Sequence, residues 1–281
     1  MAAKVILITG ASSGIGQAAA VRLAKAGFTV YACARRLEKM EALQALGVRV
    51  LKMDVSDDVS MVAGVETIIK EQGRLDVLVN NAGYGSYGAL EDVPISEGKY
   101  QFEVNVFGLV RMTQLVLPHM RANHFGKIIN ITSIGGKMYE PMGSWYHGTK
   151  FAVEGMSDCL RMEVNDFGVD VVVIEPGGIR TEWPEIAREK LLQTSGDTAY
   201  HVLAQRGAGV LQAMDGMASD PDVIARVIKK AVLARHPRTR YAAGSWAWLL
   251  LSLRNILPDR GYDAVMLFVG RSAGLMNKGK L

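Results

Sequence analysis

Short apolar segments alternate with longer helix-like segments along most of this 281-residue chain. Seven of the short segments are predicted to be β-strands: Lys4–Thr9, Thr29–Ala34, Val48–Met53, Asp76–Asn80, Lys127–Thr132, Val169–Glu175 and Arg240–Ala243. Continuous apolar strands separated by amphipathic helices indicate a mainly parallel sheet with helices on both faces. The pattern therefore predicts a doubly wound α/β fold, in which ligands bind beyond the carboxyl ends of the strands.

The chain is predicted to form a single domain over residues 1–281, because it contains no internal repeat, low-complexity segment or linker. An α/β domain of this length commonly encloses one core. The least regular region, residues 178–220, includes helix-like stretches at Pro184–Leu192 and Tyr200–Met214. A connection of this length is usually functional, so we expect it to contact the substrate. The alternative is an excursion without a function.

Composition argues against several classes of protein. The formal net charge is +4, but no basic run or aromatic platform accompanies it, which disfavours nucleic-acid binding. The chain enters its first strand without a leader, and the longest apolar stretch, around Ser245–Leu253, is too short to span a bilayer. Only two cysteines are present, which predicts no disulfide scaffold and a cytoplasmic location. The histidines lack acidic or thiol partners at ligand spacing, which predicts no metal site.

A glycine-rich turn follows the first predicted strand. The residues Gly10-Ala-Ser-Ser-Gly14-Ile-Gly16 stand between that strand and the helix-forming stretch Gln17–Ala26. Strand, glycine turn and helix together direct backbone N–H groups and a helix N-terminus at a pyrophosphate, as in dinucleotide-binding folds of the Rossmann type. The glycine spacing is Gly-x-x-x-Gly-x-Gly, and a turn that serves only as a connector is the alternative.

Tyr146 and Lys150 are four residues apart in a stretch that is predicted to be helical, so their side chains share one face. A phenol titrates near pH ~10 by itself, and a neighbouring cation favours the phenolate and makes the group a usable acid and base. The hydroxyl of Ser133 could hold a substrate oxygen against that phenol. By itself this spacing also arises by chance on surface helices.

Seven elements occur in order along the chain: Thr9-Gly-Ala-Ser-Ser-Gly-Ile-Gly16, Asp54-Val55, Asn80-Asn-Ala-Gly83, Asn105, Ser133, Tyr146 with Lys150, and Pro176-Gly177 followed by Thr181. In this combination the chain resembles the short-chain dehydrogenase/reductase family over nearly its whole length, and most of all its compact single-domain branch near the hydroxysteroid and retinol dehydrogenases. The resemblance implies hydride transfer between a nicotinamide dinucleotide and a C–OH or C=O group. It also implies that Asn105 interrupts the helix predicted at Tyr100–Leu117 and holds a water linked to Lys150.

The resemblance assigns a catalytic set and a cofactor set. The predicted catalytic residues are Asn105, Ser133, Tyr146 and Lys150. The predicted cofactor-binding residues are Gly10, Ser12, Ser13, Gly14, Ile15, Gly16, Arg35, Arg36, Asp54, Val55, Asn81, Ala82, Gly83, Tyr146, Lys150, Pro176, Gly177, Ile179 and Thr181. Asp54 is expected to accept a hydrogen bond from the adenine amino group, although a carboxylate after a strand is equally typical of a turn or a helix cap.

The end of the second predicted strand bears on the choice of cofactor. An acidic residue there would bind both ribose hydroxyls of NAD, but this strand ends at Ala34 and is followed by Arg35 and Arg36. Arginine offers a planar fork that suits a 2′-phosphate, and the Ser13 hydroxyl could add a contact. NADP(H) is therefore predicted in preference to NAD(H), with Arg35 favoured over Arg36. The alternative is an arginine that is merely exposed to solvent.

Apolar and aromatic residues dominate the segments 84–89 and 134–143 and the region beyond Gly177. They include Met138, Tyr139, Pro141, Met142, Trp145 and Trp183. Such a lining suits a hydrophobic ketone or alcohol such as a steroid, a retinoid or a fatty-chain carbonyl, although several of these residues could instead belong to the core or to a subunit interface. The apolar C-terminal segment, residues 244–281, could cap the substrate, pack between subunits or contact a membrane surface. By resemblance, a homodimer or homotetramer is expected.

Two other functions remain compatible with the sequence. One is the reduction of 3-oxoacyl thioesters by the same catalytic residues. The other is a non-catalytic dinucleotide sensor that binds a protein partner. Such a sensor would be expected to have lost part of the set formed by Ser133, Tyr146 and Lys150, and all three are present.

Overall fold

The computed structural model of the protein describes residues 3–278, and the sheet within them has seven strands. The strands are β1 (Val5–Thr9), β2 (Thr29–Ala34), β3 (Arg49–Lys52), β4 (Val77–Asn80), β5 (Gly126–Ile131), β6 (Val169–Pro176) and β7 (Arg240–Ala243). Every pair of neighbours is parallel, and the order is β3-β2-β1-β4-β5-β6-β7. The predicted single-domain, doubly wound α/β fold is confirmed.

The connections between strands are mainly helical. The α-helices of the described residues are α1 (Gly14–Ala24), α2 (Glu41–Gln44), α3 (Asp58–Gln72), α4 (Ile95–Phe102), α5 (Gly108–Ala122), α6 (Ser144–Glu163), α7 (Trp183–Ser195), α8 (His201–Gly216), α9 (Asp222–Leu233), α10 (Ala247–Ile256) and α11 (Asp259–Lys278). A π-helical turn, Glu103–Phe107, joins α4 to α5 without a break. The helix predicted at Tyr100–Leu117 therefore begins earlier and ends later than expected, with its interruption at Asn105.

Both faces of the sheet are covered, as the alternation of side chains along β1 illustrates. Ile6 and Ile8 belong to a core that also contains residues of α1 and α9. Val5 and Leu7, which point to the opposite face, belong to a core shared with residues of α3 and α5. Strands that are buried on both faces need apolar residues at every position, which is why these segments are continuous apolar runs in the sequence.

The order of the strands changes direction at β1, because β2 lies on one side of it and β4 on the other. Ligands of open α/β sheets bind in the crevice outside the strand ends at such a point. Thr9 joins the carboxyl ends of β1 and β4, because its hydroxyl oxygen accepts hydrogen bonds of 3.0 Å from the backbone N–H groups of both Asn81 and Ala82. The crevice thus has a fixed floor.

The apolar C-terminal segment forms α10 and α11, and its last residues, 279–281, lie outside the described part of the chain, as do residues 1 and 2. Ala247 and Tyr262 are buried against Ile134 and Met138 of the loop after β5. Other large apolar side chains of the two helices are exposed, among them Ile256 at 78% and Trp248 at 68%. Within residues 3–278, no helix combines the length and the apolar character that crossing a membrane requires.

Candidate active site

The glycine turn after β1 needs glycine for two reasons: its backbone conformation and the lack of space for a Cβ atom. Gly10 and Gly14 have φ values of +66° and +56°, in the left-handed region that favours glycine. A Cβ at Gly16 would lie only 2.5 Å from the Nδ2 atom of Asn81. The turn leads into the N-terminus of α1, where the Ser13 hydroxyl makes no capping bond and instead donates to Glu182 Oε2 at 3.3 Å. These residues fit a bound pyrophosphate.

Asn81 supports the glycine turn from below. Its side-chain Nδ2 donates hydrogen bonds to the carbonyl oxygens of Thr9 (3.0 Å) and Gly10 (3.1 Å). The neighbouring Ala82 approaches the same turn so closely that a Cβ at Gly10 would lie 2.7 Å from its Cα. The resemblance assigns Asn81 to the cofactor set, and the structure shows in addition that it holds the shape of the turn.

Tyr146 and Lys150 lie on the buried face of α6. Buried residues recur along this helix at Tyr146, Lys150, Val153 and Ser157, the spacing of an inward-facing helical stripe. The Nζ atom of Lys150 lies 5.9 Å from the centre of the Tyr146 ring and donates a 3.1 Å hydrogen bond to the carbonyl of Ile131, at the end of β5. The predicted proximity of phenol and ammonium is therefore present, at the carboxyl edge of the sheet.

Ser133 stands between β5 and a short 3₁₀ turn, Ile134–Gly136. Its Oγ accepts a 3.0 Å hydrogen bond from the backbone N–H of Gly135. That bond uses an oxygen lone pair and leaves the hydroxyl proton free to be donated. Ser133 also interacts with the phenol of Tyr146 and acts to lower its pKa. The serine is therefore held where it can donate to an oxygen that also meets the phenol.

Burial dominates the protonation of this pair. It raises the pKa of Tyr146 to about 12, against an opposing effect of Ser133 and with a smaller contribution from the carboxylate of Glu140. It also lowers the pKa of Lys150 to about 8, and only Glu154 opposes that shift. The shift that burial causes in the pKa of Tyr146 is opposite in sign to the one expected from the neighbouring cation, and Lys150 is not among its main causes. Tyr146 is consequently a protonated donor at neutral pH.

Asn105 lies in the π-helical turn and is buried. Its Oδ1 accepts from the backbone N–H of Tyr84 at 3.0 Å, and its Nδ2 donates to the Tyr84 carbonyl at 2.9 Å and to Thr149 Oγ1 at 3.1 Å. A Cβ at Gly83 would lie 3.1 Å from Asn105 Oδ1 and 3.8 Å from Lys150 Nζ. Asn105 and Lys150 thus border one small space, while the asparagine fixes the loop after β4.

Two aromatic rings cover Tyr146. The ring of Trp183, at the start of α7, is 5.0 Å from that of Tyr146, and the ring of Tyr87 is 5.8 Å away. Tyr87 is oriented by a 2.9 Å hydrogen bond from its hydroxyl to Glu140 Oε1. These residues lie in the predicted substrate-facing segments, but Glu140 is a charged exception to the expected apolar lining. Trp145 differs from the prediction, because its ring packs against the Cα of Gly98 in α4 instead.

The two arginines after β2 point in different directions. Arg35 Nη1 donates a 3.1 Å hydrogen bond to the hydroxyl of Tyr100, whereas Arg36 Nη2 lies 3.4 Å from Ser12 Oγ in the glycine turn. The sequence favours Arg35 as the phosphate contact, and the structure instead brings Arg36 to the turn. Successive side chains of a strand point to opposite sides, so only one of these two arginines can reach the glycine turn. Lys39, which the prediction omits, lies on the same side through its ion pair with Glu182.

The remaining predicted cofactor residues surround the same crevice. Asp54 Oδ1 accepts hydrogen bonds from the backbone N–H (2.9 Å) and hydroxyl (2.7 Å) of Ser56, so the turn-forming role is present for that oxygen. Ile179 is buried after β6, and Thr181 lies over the glycine turn, where a Cβ at Gly14 would approach its methyl carbon to 2.9 Å. Ile15, Val55, Pro176 and Gly177 occupy neighbouring positions at the strand ends and at the start of α1.

The side chains that could bind a metal are scattered in the part of the chain that the structure describes. No group of three or more His, Cys, Asp or Glu side chains within it is arranged to hold a metal ion. His147 has a structural role here: its Nε2 accepts from the backbone N–H of Glu140 at 3.2 Å, so Nδ1 donates to the Gly135 carbonyl at 2.9 Å. Both ring nitrogens are thereby used to fix the loop that carries Glu140.

Known proteins share this chain's sequence and fold. A family model described as short chain dehydrogenase matches residues 4–191. The oxidoreductase YusZ of Bacillus subtilis is 34% identical over 273 residues, covering 94% of this chain and 97% of the relative. The 3-ketodihydrosphingosine reductase of Bacteroides thetaiotaomicron is 38% identical over 261 residues, covering 92% and 95%.

A crystal structure of a short-chain dehydrogenase from Streptomyces avermitilis superposes with a TM-score of 0.78 at 34% identity, covering 90% of this chain and 92% of that one. Other solved structures with the same fold contain NADP or NAD. The relatives support an oxidoreductase that acts on C–OH or C=O groups, and they do not single out the hydroxysteroid and retinol group. The match over nearly the whole chain establishes that the protein belongs to the short-chain dehydrogenase/reductase family.

Proposed function

We propose that the protein is an NADP(H)-dependent oxidoreductase that interconverts a hydrophobic ketone and the corresponding alcohol. The observation that carries this proposal is the convergence of Ser133, Tyr146 and Lys150 at the carboxyl edge of the sheet, next to the glycine turn. The same edge would hold the dinucleotide, whose nicotinamide supplies or accepts the hydride. The protein's own contribution is to position the substrate and to move a proton.

The proton chemistry follows from the state of each side chain. The carbonyl oxygen of the substrate would accept hydrogen bonds from the hydroxyls of Ser133 and Tyr146. Tyr146, whose pKa burial raises to about 12, carries the proton at neutral pH and transfers it to that oxygen as negative charge develops there. Lys150 is the nearby cation that stabilises the phenolate left behind, since its pKa of about 8 keeps it mainly protonated at neutral pH.

The preference for NADP(H) rests on the cations beside the glycine turn. Arg36 lies within reach of Ser12, and Lys39 lies on the same side of the turn. β2 ends at Ala34, so no carboxylate stands at the strand end to bind the ribose hydroxyls. Two cations and a serine hydroxyl suit a 2′-phosphate better than a diol.

The proposed substrate class rests on a cavity next to the aromatic rings that cover Tyr146. The cavity opens to solvent and has a volume of about 50 Å³. Its lining is mainly apolar and includes Tyr87, Leu191, Leu211, Met266 and Val269. Residues 178–220 and the C-terminal segment 244–281 thus supply α7, α8 and α11 as its walls. The apolar character of this lining suits an apolar substrate, and the related 3-ketodihydrosphingosine reductase is named for a ketone substrate.

We also propose that the protein assembles as a homodimer or homotetramer through α5 and α6. Phe151, Met156 and Met162 are large apolar side chains exposed on α6, and Phe107 is exposed in the turn that precedes α5. Several exposed apolar side chains on one helix are typical of a surface that is covered by a partner. Sedimentation velocity of the wild-type protein measures this state directly, and a monomer at micromolar concentration would contradict the proposal.

The enzymatic proposal is tested by a screen of hydrophobic ketones and alcohols with NADPH and NADH, followed at 340 nm. Tyr146→Phe should abolish turnover while dinucleotide binding, measured by calorimetry, stays within about twofold of wild type. Tyr200→Phe is the matched control, because its hydroxyl contacts only Glu91 at the surface. Turnover by Tyr146→Phe at the wild-type rate would refute the assigned acid.

A further inference from the structure

One carboxylate lies among the side chains that the proposed function assigns to the 2′-phosphate. Glu182 Oε1 lies 2.8 Å from Lys39 Nζ, and its Oε2 lies 3.3 Å from Arg36 Nη2 and 3.3 Å from Ser13 Oγ. The Arg36 nitrogen also contacts Ser12 Oγ at 3.4 Å. Two cations and two hydroxyls thus converge where an anion would bind, and an anion belonging to the protein itself lies there.

Glu182 reaches these partners from a distant part of the sequence. It lies on the segment between β6 and α7, whereas its partners belong to the glycine turn and to the 3₁₀ segment after β2. Its position is fixed on both sides: Thr181 packs over Gly14, and Trp183 packs on Tyr146. The carboxylate is therefore held at the cations by the same short segment that covers the catalytic tyrosine.

The Glu182 carboxylate and a 2′-phosphate require the same donors. The hydrogen bonds from Lys39 and then Arg36 hold the pKa of Glu182 below its ordinary value, so it carries its charge at neutral pH. A bound 2′-phosphate adds about −1.5 to −2 charges at the same place, and two anions there would repel each other. The phosphate must consequently displace the carboxylate to gain both cations.

We propose that Glu182 is an internal competitor for the 2′-phosphate of NADP(H), and that it limits how strongly the enzyme prefers this dinucleotide over NAD(H). The inference rests on the proposed function, which assigns Arg36, Lys39 and the serines to that phosphate. The ion pairs of Glu182 are half exposed, since 47% of its side chain is accessible to solvent, and exposed ion pairs are weak. A phosphate can therefore displace it, at a cost in affinity.

The experiment measures the binding of adenosine 2′,5′-bisphosphate and adenosine 5′-monophosphate by calorimetry, which requires no turnover. Glu182→Gln keeps the size of the side chain and removes its charge. It should tighten the bisphosphate by about three- to tenfold, the factor expected for removing weak exposed ion pairs and a repulsion, and change the monophosphate by less than about twofold. Glu185→Gln, an exposed acid one turn along α7, should change neither.

A second variant links the effect to a particular cation. If Lys39 is shared by the two anions, the gain from Glu182→Gln should shrink when Lys39→Gln is also present. Unchanged bisphosphate affinity in Glu182→Gln would overturn the competition. A selective loss of monophosphate affinity would overturn it as well, because it would mean that the carboxylate binds the ribose hydroxyls.

The two proposals fail in distinguishable ways. A wild-type protein that prefers the bisphosphate, together with a Glu182→Gln variant of identical affinity, refutes the competitor and leaves the NADP(H) assignment intact. Equal binding of both nucleotides by wild type and by Glu182→Gln refutes the assignment and the competitor together. A preference that emerges only in Glu182→Gln supports both, since it shows a phosphate site that the carboxylate masks.

Discussion

Replacing Lys150 with methionine should abolish turnover and, at the same time, stabilise the folded protein near neutral pH. Burial lowers the pKa of this lysine from 10.5 to about 8, so holding it charged in the folded state costs about 3 kcal/mol, at about 1.4 kcal/mol per pH unit. Methionine removes this cost. It also leaves the Ile131 carbonyl without its 3.1 Å hydrogen bond, a loss of about 1 kcal/mol. The net gain is roughly 2 kcal/mol.

The pH dependence of this gain has a definite sign. Since the folded-state pKa is the lower one, the wild-type protein releases this proton on folding between about pH 8 and pH 10.5, and its stability rises through that window. The advantage of Lys150→Met is therefore complete below pH 8 and disappears as the pH approaches 10.5. Paired urea denaturation curves at pH 7 and pH 9.5 measure the difference.

A matched control for this experiment is Lys70→Met, because Lys70 is exposed on α3. That variant should change the free energy of unfolding by no more than about 0.5 kcal/mol at either pH. A Lys150→Met protein that is less stable than wild type at pH 7, or whose difference from wild type is the same at both pH values, would refute the reasoning. Either result would mean that burial is not what depresses the pKa of this lysine.

Gly16→Ala would place a Cβ 2.5 Å from the side-chain amide of Asn81. Calorimetry should therefore show loss of dinucleotide binding, and urea denaturation should show a free energy of unfolding lower by about 2 kcal/mol. Wild-type values would contradict the tight turn. Arg240→Met removes the stronger of the two cations that oppose the raised pKa of buried Glu175, and should cost about 3 kcal/mol at pH 7, a loss that shrinks as the pH falls and this carboxyl takes up a proton. Burial raises the pKa of Cys33 to about 12 whereas Cys159 is exposed, so a thiol reagent at pH 8 should label one cysteine in the native protein and two after denaturation.

The sheet could be predicted because its strands are buried on both faces, and such strands must be apolar throughout. β2 and β7 have the predicted bounds, and each of the others differs by one residue at one or both ends, as where Val48–Met53 becomes Arg49–Lys52. The helices predicted at Pro184–Leu192 and Tyr200–Met214 correspond to α7 and α8. Patterns of this kind depend only on neighbours along the chain, which is why the sequence contains them.

The details of the site depend on contacts that no local pattern records. Tyr146 and Lys150 could be paired from their spacing, but the depth of their burial, which raises the pKa of the phenol, could not be predicted. Which of Arg35 and Arg36 reaches the glycine turn depends on the side of the sheet to which each side chain points. Glu182 reaches the cations from 143 residues beyond Lys39, a proximity that only the assembled fold creates.

The π-helical turn around Asn105 interrupts the regular hydrogen bonding of the α-helices on either side of it. A turn of this type is rare, and a chain shortened by one residue between positions 103 and 107 could continue as a regular helix from α4 into α5. Deleting that residue would leave α4 and α5 nearly in phase, because a π turn holds one residue more than an α turn, but it would remove the bulge in which the asparagine lies. The extra residue is thus a geometric spacer: it sacrifices helical regularity so that one amide can meet the backbone of Tyr84.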